Sequence, residues 1–252
     1  MDPTTLREYY DKIVSFRPRS LYAYASAAYL FAWANQGRPP LPQPLTAAFL
    51  AAEPVLESYR TAIHEVLGCP SVGEYGSIEC GLLAYEHPSG GYRIFQRSVL
   101  VETEKDQGGY QILVTQLRDT GFPLFRYEIG DVTPQPLQLS LDGFETLKAI
   151  VGRAHDLIRT PSGNVFHGEM ITHILERIPE IVLFSIHQDK QLTLHFQVRT
   201  SDGQELSKNS IEWITQSMLT ALQEQINITF TVVPWLDRTL AGKHRWITSE
   251  AI

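Results

Sequence analysis

Cysteine is nearly absent from this chain of 252 residues, which contains only Cys69 and Cys80. Two cysteines cannot build a disulfide framework or a four-cysteine zinc site, and a chain of this length buries enough apolar surface to fold without such crosslinks. The N-terminal segment MDPTTLREYYDK is polar and lacks the apolar core of a secretion signal. Both features predict a reducing compartment and therefore a cytoplasmic protein.

Positive charge and long apolar runs are also scarce. The chain has 21 Lys and Arg against 28 Asp and Glu, which gives a formal net charge of −7. Nucleic acids and anionic membranes are bound through clustered positive charge, so we expect neither as a partner. A phosphate pocket remains compatible with this charge, because backbone amides and one or two cations suffice for it. The longest apolar stretch, Leu21 to Trp33, is too short to span a bilayer.

The first 150 residues combine helices with short strands. Apolar positions at helical spacing predict helices over 4–15, 21–36 and 55–67, the last of which ends at Gly68. From residue 71 to about 151, short runs of branched and aromatic residues alternate with Gly, Pro and Asp. Such runs predict the strands of a mixed sheet joined by tight turns.

The remaining hundred residues follow a different pattern. The predicted order is a helix at 168–177, strands at 181–186 and 192–198, a helix at 208–224 and a strand at 228–233. This α-β-β-α-β order describes a small α+β domain. We therefore predict an α/β protein in two parts, residues 1–152 and residues 153–252.

The segment EYGSIECG, residues 74–81, could hold a nucleotide and a magnesium ion. Tyr75 offers a flat face for a base, Ser77 a hydroxyl and Glu79 a carboxylate, and in an extended segment all three point to one side. Gly76 lets the backbone turn sharply or approach a ligand. The alternative, an ordinary exposed strand end, is favoured when these residues are considered alone.

Three further polar residues could carry chemistry. Asp131, in PLFRYEIGDV, could accept hydrogen bonds from two ribose hydroxyls or be a plain turn residue. Arg153 lies where the composition changes, so it could reach a ligand in a cleft or pair with a carboxylate in a linker. Lys243, in DRTLAGKHRWI, could act on a carboxylate or phosphate or be solvated.

In this order and at these spacings, the segments resemble the motifs of the adenylate-forming superfamily of acyl-coenzyme A synthetases, adenylation domains and luciferases. The resemblance is strongest to the phenylacetate–coenzyme A ligase family and its capsule-biosynthesis relatives, and it covers essentially the whole chain. The matching segments are AAEPVL (51–56), YGSIE (75–79), RYEIGD (126–131), GRAHDLIRTPSGNVFHGEM (152–170) and AGKHRW (241–246). They are similar to the family's Ser-Glu-Pro-Leu, Tyr-Gly-x-x-Glu, Tyr-x-x-Gly-Asp, Gly-Arg-x-x-Asp and Gly-Lys motifs.

The resemblance implies the mixed-sheet portion of an adenylate-forming large domain, followed by a small α+β C-terminal domain. It also implies an ATP-dependent ligase that joins a small carboxylic acid to AMP and then transfers the acyl group to coenzyme A. In such an enzyme Tyr75 would stack on adenine, and the backbone near Glu53 and Pro54 would line its other face. Ser77 would contact the α-phosphate, and Glu79 would hold Mg²⁺.

The resemblance also assigns residues to the sugar, the hinge and catalysis. Asp131 would bind the ribose hydroxyls, and Arg153 would reach the ribose or a phosphate. The hinge would lie near residues 153–156, where His155 replaces a more typical Asp or Lys. Lys243 would stabilise the charge that develops as the carboxylate attacks the α-phosphate, and ATP or AMP would bind between the two parts.

One motif of the family has no counterpart in the sequence. Full-length members carry a Ser/Thr/Gly-rich loop that ends in Lys and cradles the β- and γ-phosphates, but no run such as Ser-Gly-Thr-Thr-Gly occurs here. We expect a truncated or split form that is weak or inactive alone, with a homo-oligomer or a partner chain covering exposed apolar surface. The alternative is a non-catalytic AMP-binding or structural subunit that keeps the adenine pocket.

The acyl substrate cannot be read from the sequence. Tyr22, Tyr24 and Tyr29 are predicted on the helix that lines the acyl pocket in the family. They could form an aromatic or polar wall, but core packing at helical spacing is the more common role of such residues.

Overall fold

The computed structural model describes residues 3–106, 109–118, 121–153, 157–240 and 242–251. The helices are α1 (Pro3–Phe16), α2 (Ala25–Ala34), α3 (Glu57–Leu67), α4 (Glu169–Leu175) and α5 (Lys208–Leu222). The strands are β1 (Ser20–Tyr24), β2 (Ala47–Ala51), β3 (Ser71–Ser77), β4 (Gly81–Glu86), β5 (Tyr92–Ile94), β6 (Val99–Asp106), β7 (Gly109–Gln116), β8 (Tyr127–Thr133), β9 (Gln138–Leu139), β10 (Glu145–Leu147), β11 (Gly152–Arg153), β12 (Leu157–Arg159), β13 (Val165–His167), β14 (Ile181–Gln188), β15 (Leu194–Thr200), β16 (Ile228–Val232) and β17 (Ile247–Ser249). This mixture of helices with parallel and antiparallel strands confirms the predicted α/β class.

Contacts between residues divide the chain into two compact units. The first consists of Met1–Glu102, Leu113–Tyr127 and Leu137–Ala149. The second consists of Thr103–Ile112, Glu128–Pro136 and Ile150–Ile252. The hinge near residues 153–156 stays a prediction, and residues 154–156, which include His155, lie outside the described residues.

The first unit is built around a seven-stranded sheet with the order β1-β2-β3-β4-β5-β10-β9. Its first three strands are parallel, and the pairs from β3 onward are antiparallel. Helix α2 packs on β1 and β2, and α3 packs on β3. The strand face that carries Ala48 and Leu50 is fully buried, whereas the opposite face carries aromatic side chains that stay partly exposed.

The predicted helix over residues 21–36 is wrong in its first turn. Residues 20–24 form β1, which pairs in parallel with β2 so that Tyr22 lies beside Phe49. Strand β2 was not predicted, and its backbone hydrogen bonds outweigh the helical spacing of the apolar residues. Helices α1 and α3 lie where they were expected, and Gly68 ends α3 in the left-handed conformation with φ 67°.

The second unit contains a four-stranded sheet with the order β16-β15-β14-β17. The predicted α-β-β-α-β order is confirmed, and β17, which was not predicted, pairs in parallel with β14. Gly168 precedes α4, and a Cβ at this position would collide with the side chain of Ile247. Helix α4 therefore begins against the face of the sheet that carries Ile247.

A second four-stranded sheet has the order β11-β8-β7-β6, and β12 and β13 form a separate hairpin. In this hairpin Leu157–Arg159 pairs with Val165–His167 around a turn at Gly163, whose φ is 88°. In the described ranges no helix is both long and apolar enough to cross a membrane.

Candidate functional site

The Tyr-Gly-x-x-Glu residues lie on a tight hairpin between β3 and β4. Tyr75 pairs with Ala84 and Ser77 with Gly81, with a register shift between Tyr75 and Gly76. Strand β3 ends at Ser77, and residues 78–80 form the turn. The expectation that residues 75, 77 and 79 share one side of an extended segment is therefore wrong for Glu79, which lies in the turn.

Gly76 is required by the hairpin itself. A Cβ at this position would collide with the carbonyl oxygen of Gly81 and lie 3.1 Å from the Cα of Leu82. Because this close contact is between backbones, a side chain cannot be accommodated by a change of rotamer. The glycine thus brings Ser77 and the turn against the start of β4.

The hydroxyl of Ser77 closes the turn through its oxygen. Its oxygen accepts a hydrogen bond from the backbone N–H of Cys80 at 3.1 Å. A serine hydroxyl combines one donor with two acceptor lone pairs, so the O–H can still rotate toward a phosphate oxygen. Burial raises the pKa of the neighbouring Cys80 thiol, which keeps this cysteine protonated and weakly nucleophilic.

Tyr75 is only 7% exposed. Its ring meets that of Tyr92 edge-on, with the ring centroids 6.1 Å apart and the planes at 65°. This packing fixes the plane of the Tyr75 ring at the end of β3.

Glu53 follows β2 and caps α2. Its carboxylate accepts a hydrogen bond from the backbone N–H of Ser26 at 2.8 Å, and both residues are buried. Tyr24, at the N-cap position, makes no side-chain capping bond, so Glu53 supplies the acceptor and places negative charge at the positive end of the helix. Pro54, which comes next, is exposed.

Register brings Glu53 and Pro54 to the edge of the sheet where the hairpin begins. Leu50 of β2 pairs with Gly73 of β3, and the carboxyl ends of these parallel strands meet at one edge. Ligands bind at such edges in open α/β sheets. The first unit therefore brings its six predicted site residues to one region.

Glu79 offers one exposed carboxylate for a metal ion. Its backbone carbonyl accepts a hydrogen bond from Gln116 Nε2 at 3.2 Å, which ties the turn to the last residue of β7. Mg²⁺ is commonly held by one or two carboxylates together with substrate phosphates, so this donor fits the ion. Among the described residues, no group of three or more His, Cys, Asp or Glu side chains could hold a metal.

Asp131 and Arg153 are direct neighbours in the second unit. They are register partners in the antiparallel pair of β8 and β11. Gly130 has φ 80°, a conformation that glycine adopts without the strain that a Cβ brings. The side chain of Arg153 lies outside the described side chains, so its contact with a nucleotide stays a prediction.

Lys243 is presented by a compact loop near the C-terminus. Its backbone N–H donates to the hydroxyl of Thr239 at 3.1 Å, and its carbonyl accepts from the Thr239 N–H at 2.9 Å. Arg238 donates to the carbonyl of Gly242 at 2.9 Å.

His244 is buried, and its Nε2 lies 2.7 Å from the carbonyl oxygen of Phe184. This bond anchors the loop, and the Lys243 side chain stays partly exposed.

Sequence reasoning missed a carboxylate on the opposite side of β3. Tyr22 donates its hydroxyl to Glu74 at 2.6 Å, and Tyr85 is the register partner of Glu74. Side chains alternate along a strand, so the residue before Tyr75 could have been assigned to the other face from the sequence. Tyr29 is a packing residue, since its ring stacks on that of Tyr59 with centroids 4.2 Å apart.

No protein-family model matches the chain. Protein CapK of Staphylococcus aureus is 23% identical over 252 residues, which covers 97% of this chain and 56% of CapK. The structure of 2-hydroxyisobutyryl-CoA ligase in the postadenylation state with R3-HIB-AMP matches with a TM-score of 0.77 at 15% identity, covering 99% of this chain and 58% of that one. Anthranilate CoA ligase AuaEII in complex with anthranoyl-AMP matches with a TM-score of 0.68 at 14% identity, covering 96% and 51%.

The chain has the fold of the adenylate-forming enzymes, which confirms the resemblance given by its motifs. Two of the most similar solved structures are CoA ligases that hold an acyl-AMP. The chain spans just over half the length of the proteins it matches.

Proposed function

We propose that this chain is part of an ATP-dependent carboxylate-activating ligase of the phenylacetate–coenzyme A ligase type. The observation that carries the proposal is the hairpin of Tyr75, Gly76 and Ser77 beside Glu53, at the sheet edge where β2 and β3 end. A fold that holds acyl-AMP in solved CoA ligases supports ATP, AMP and coenzyme A as its ligands.

The proposed reaction has two steps, and this chain contributes mainly electrostatic and positioning groups. The acid's carboxylate attacks the α-phosphorus of ATP, and pyrophosphate leaves. The ammonium of Lys243 stabilises the negative charge that develops, while the Ser77 hydroxyl donates to an α-phosphate oxygen. A thiol, in our proposal that of coenzyme A, then attacks the acyl carbon, and AMP leaves.

Asp131 and Glu79 hold the remaining parts of the nucleotide complex. The Asp131 carboxylate accepts hydrogen bonds from the ribose hydroxyls, and the proposal places Arg153 beside them. Glu79 would hold Mg²⁺, which supplies Lewis-acid neutralisation of the phosphate charge when it is bound.

We further propose that the chain works with more polypeptide, either a second copy or a chain that supplies the phosphate loop. Ile78, Phe122 and Phe125 in the first unit are 89%, 82% and 81% exposed. Large exposed apolar groups mark contact surfaces. A cytoplasmic location and a small carboxylic acid as substrate are part of the same proposal.

Nucleotide binding is the first test. Calorimetry with AMP should give about tenfold or weaker affinity in Tyr75→Ala, because base–aromatic stacking is worth roughly 1–3 kcal/mol. Tyr9→Ala, on the exposed face of α1, makes the same chemical change away from the site and should leave the affinity unchanged. Equal affinity in a folded Tyr75→Ala protein would reject the stacking role.

Activity separates the ligase from the second candidate, a non-catalytic AMP-binding subunit. No Ser/Thr/Gly-rich phosphate loop occurs within the 252 residues, and loss of one preorganised donor from a transition-state site lowers the rate by about 10²–10³. We expect weak pyrophosphate exchange with a panel of aryl and acyl acids, and a further loss of about 10² or more in Lys243→Ala. Robust adenylate formation by a protein of monomeric mass would contradict the need for a partner chain.

A further inference from the structure

An open groove lies between helices α4 and α5 of the second unit. Its volume of about 370 Å³ is within the range of small-molecule sites. The lining side chains that matter most here are Met170, Ile174, Arg177, Trp213, Gln216 and Ser217. None of these six belongs to the buried stripe of α5, which includes Ile214, Met218 and Leu222. The groove therefore lies outside the core of the unit.

Hydrogen bonds beyond the ends of the two helices show that they run in opposite directions. Glu180, which follows α4, accepts hydrogen bonds from Ser207 at the start of α5. Ser162, which precedes α4, donates to Glu224 after the end of α5. Helix α5 lines the groove from Trp213 to Ala221, which corresponds to a length of about 12 Å.

Arg177 carries the charge of the groove. Its side chain is exposed, and the ion pairs found in the described part of the chain do not include it. The Nδ1 atom of His173, which also lines the groove, lies 3.4 Å from a carboxylate oxygen of Glu176. The described lining contains no carboxylate. Because the helices are antiparallel, the end of the groove near Trp213 thus has a positive charge without a counter-charge.

Uncharged donors and apolar surface make up the rest of the groove. The side chains of Gln216 and Ser217 form no hydrogen bond with other side chains in the ranges that the structure describes. Trp213 is 39% exposed, and Met170 and Ile174 lie one helical turn apart on the opposite wall. Such apolar surface is stabilised when an apolar body covers it, whereas guanidinium and amide donors bind an oxyanion.

We propose that this groove binds a medium-chain aliphatic carboxylate, with the carboxylate at Arg177 and the chain extended along α5 toward Ala221. The guanidinium presents a fork of N–H donors that matches the two carboxylate oxygens. A groove of about 12 Å accommodates a chain of about eight carbons. All lining residues belong to the second unit, and none of them is assigned to the nucleotide or to catalysis, so the site goes beyond the proposed ligase.

Two properties together define the site. A neutral chain of the same length would leave the charge of Arg177 without a partner, and a short acid would leave the surface of Trp213, Met170 and Ile174 uncovered. The affinity should therefore depend both on the negative charge of the ligand and on the length of its chain.

The test is calorimetry of the full chain with octanoate, octan-1-ol and butanoate, in the absence of nucleotide. We expect octanoate to bind about fivefold more tightly than octan-1-ol, the scale of an exposed ion pair. Butanoate should bind about tenfold or more weakly than octanoate, because it buries fewer methylene groups. Arg177→Gln should abolish the preference for octanoate without changing the affinity for the alcohol. Arg97→Gln makes the same change at an exposed position of the first unit and should behave as the wild type.

A second pair of variants locates the bound chain. Thr220 is exposed and lines the groove, so Thr220→Trp should fill it and weaken the binding of octanoate and octan-1-ol alike, by about tenfold. Thr215→Trp introduces the same ring at an exposed position of α5 outside the groove lining and should leave both affinities unchanged. Octanoate should also change the tryptophan fluorescence of the wild type, and Trp213→Phe should remove this change.

Each other outcome overturns the proposal. Equal affinities for octanoate and octan-1-ol, or for octanoate and butanoate, remove the site, as does the absence of binding. Octanoate binding that is unaffected by Arg177→Gln and by Thr220→Trp assigns the acid to other residues. If circular dichroism shows that Arg177→Gln does not fold, the Thr220→Trp result alone decides. AMP affinity, measured separately, should be unchanged in the groove variants, which keeps a failure here distinct from a failure of the ligase proposal.

Discussion

The two units each contain a sheet with one buried row of side chains, but their opposite faces differ. In the first unit the partly exposed face carries Tyr22, Phe49 and Tyr85 around the single carboxylate of Glu74. In the second unit the exposed face carries a row of threonines and histidines, Thr229, His195, His187 and Thr248, in register across four strands. The first face is therefore mainly apolar with one hydrogen-bonded carboxylate, whereas the hydroxyls and imidazoles of the second face can hydrogen-bond to one another.

The histidine row of the second unit is internally satisfied. His195 contacts the Thr229 hydroxyl at 2.8 Å through Nδ1 and Asp189 at 2.8 Å through Nε2. His187 contacts the Thr248 hydroxyl at 2.9 Å through Nδ1, and its Nε2 lies 3.4 Å from Glu250. The imidazole nitrogens on this solvent-exposed face thus contact neighbouring hydroxyl and carboxylate groups. We therefore assign no ligand to this face.

The largest expected effect is a difference in the free energy of unfolding between variants on the two faces of the β16-β15-β14-β17 sheet. Phe196 is buried beside Ile186 and Phe230 in its register row, so Phe196→Ala should lower the free energy of unfolding by about 3–5 kcal/mol. His195→Ala, one residue earlier on the exposed face, should lower it by about 1 kcal/mol or less. Urea denaturation followed by circular dichroism measures both, and similar losses would mean that the histidine row is part of the core.

A smaller loss of stability is expected for a substitution in the β3–β4 hairpin of the first unit. Gly76→Ala places a Cβ against the carbonyl of Gly81, so the backbones must separate, at a cost of about 1–3 kcal/mol. At Gly121 a Cβ would meet nothing within 4 Å, and Gly121→Ala should change stability by no more than about 0.5 kcal/mol. Thermal denaturation compares the two variants, and a fully stable Gly76→Ala protein would contradict the close contact.

Local signals predicted those elements whose formation depends on neighbouring residues. Gly68 follows a run of apolar residues at helical spacing and ends α3 as expected. Strands β2 and β17 were missed because AAFLA and the segment around Ile247 have no alternation of their own. They become strands by pairing in parallel with β1, β3 and β14, partners that are distant in the sequence.

The motifs were sufficient to choose the candidate residues. They did not predict how these residues are arranged in the structure. The motif segments identified Tyr75, Ser77 and Glu79 by their order, yet the turn after Ser77 depends on backbone contacts across the hairpin. The capping role of Glu53 likewise depends on Ser26, 27 residues earlier in the chain. The roles of these residues toward a nucleotide stay predictions until binding is measured.

A pH titration tests the charge on the aromatic face. The folded-state pKa of Tyr22 is raised to about 12, mainly by its hydrogen bond to Glu74. A raised pKa stabilises the fold below the ordinary value of 10, and this stabilisation is lost as the pH rises through about 12. Tyr22→Phe should therefore be less stable at pH 8, by about 1 kcal/mol or less because Tyr22 is largely exposed, and should approach the wild type at pH 12.

The absorbance of ionised tyrosine provides the direct measurement. The Tyr22→Phe protein should lack one late-titrating phenol, whereas Tyr9→Phe, which changes an exposed tyrosine of α1, should retain it. Identical titration curves for the two variants would show that Glu74 does not hold the Tyr22 hydroxyl in solution.

The smallest effect on stability is expected for the histidine row, and it concerns acidic rather than alkaline pH. A hydrogen bond from His195 is the main reason why the pKa of Asp189 lies below its ordinary value of 3.8, and backbone N–H groups of Thr193 and Gln191 add to it. A lowered pKa stabilises the fold above that ordinary value, and the stabilisation is lost as the pH falls through the folded-state pKa. Asp189→Asn should thus have a slightly lower Tm than the wild type at pH 7, and the difference should shrink as the pH is lowered below 3.8. The exposed Asp237→Asn is the matched control. A deficit of Asp189→Asn that does not shrink at low pH would trace the effect to lost packing and would remove the pH-dependent part of the contrast between the two faces.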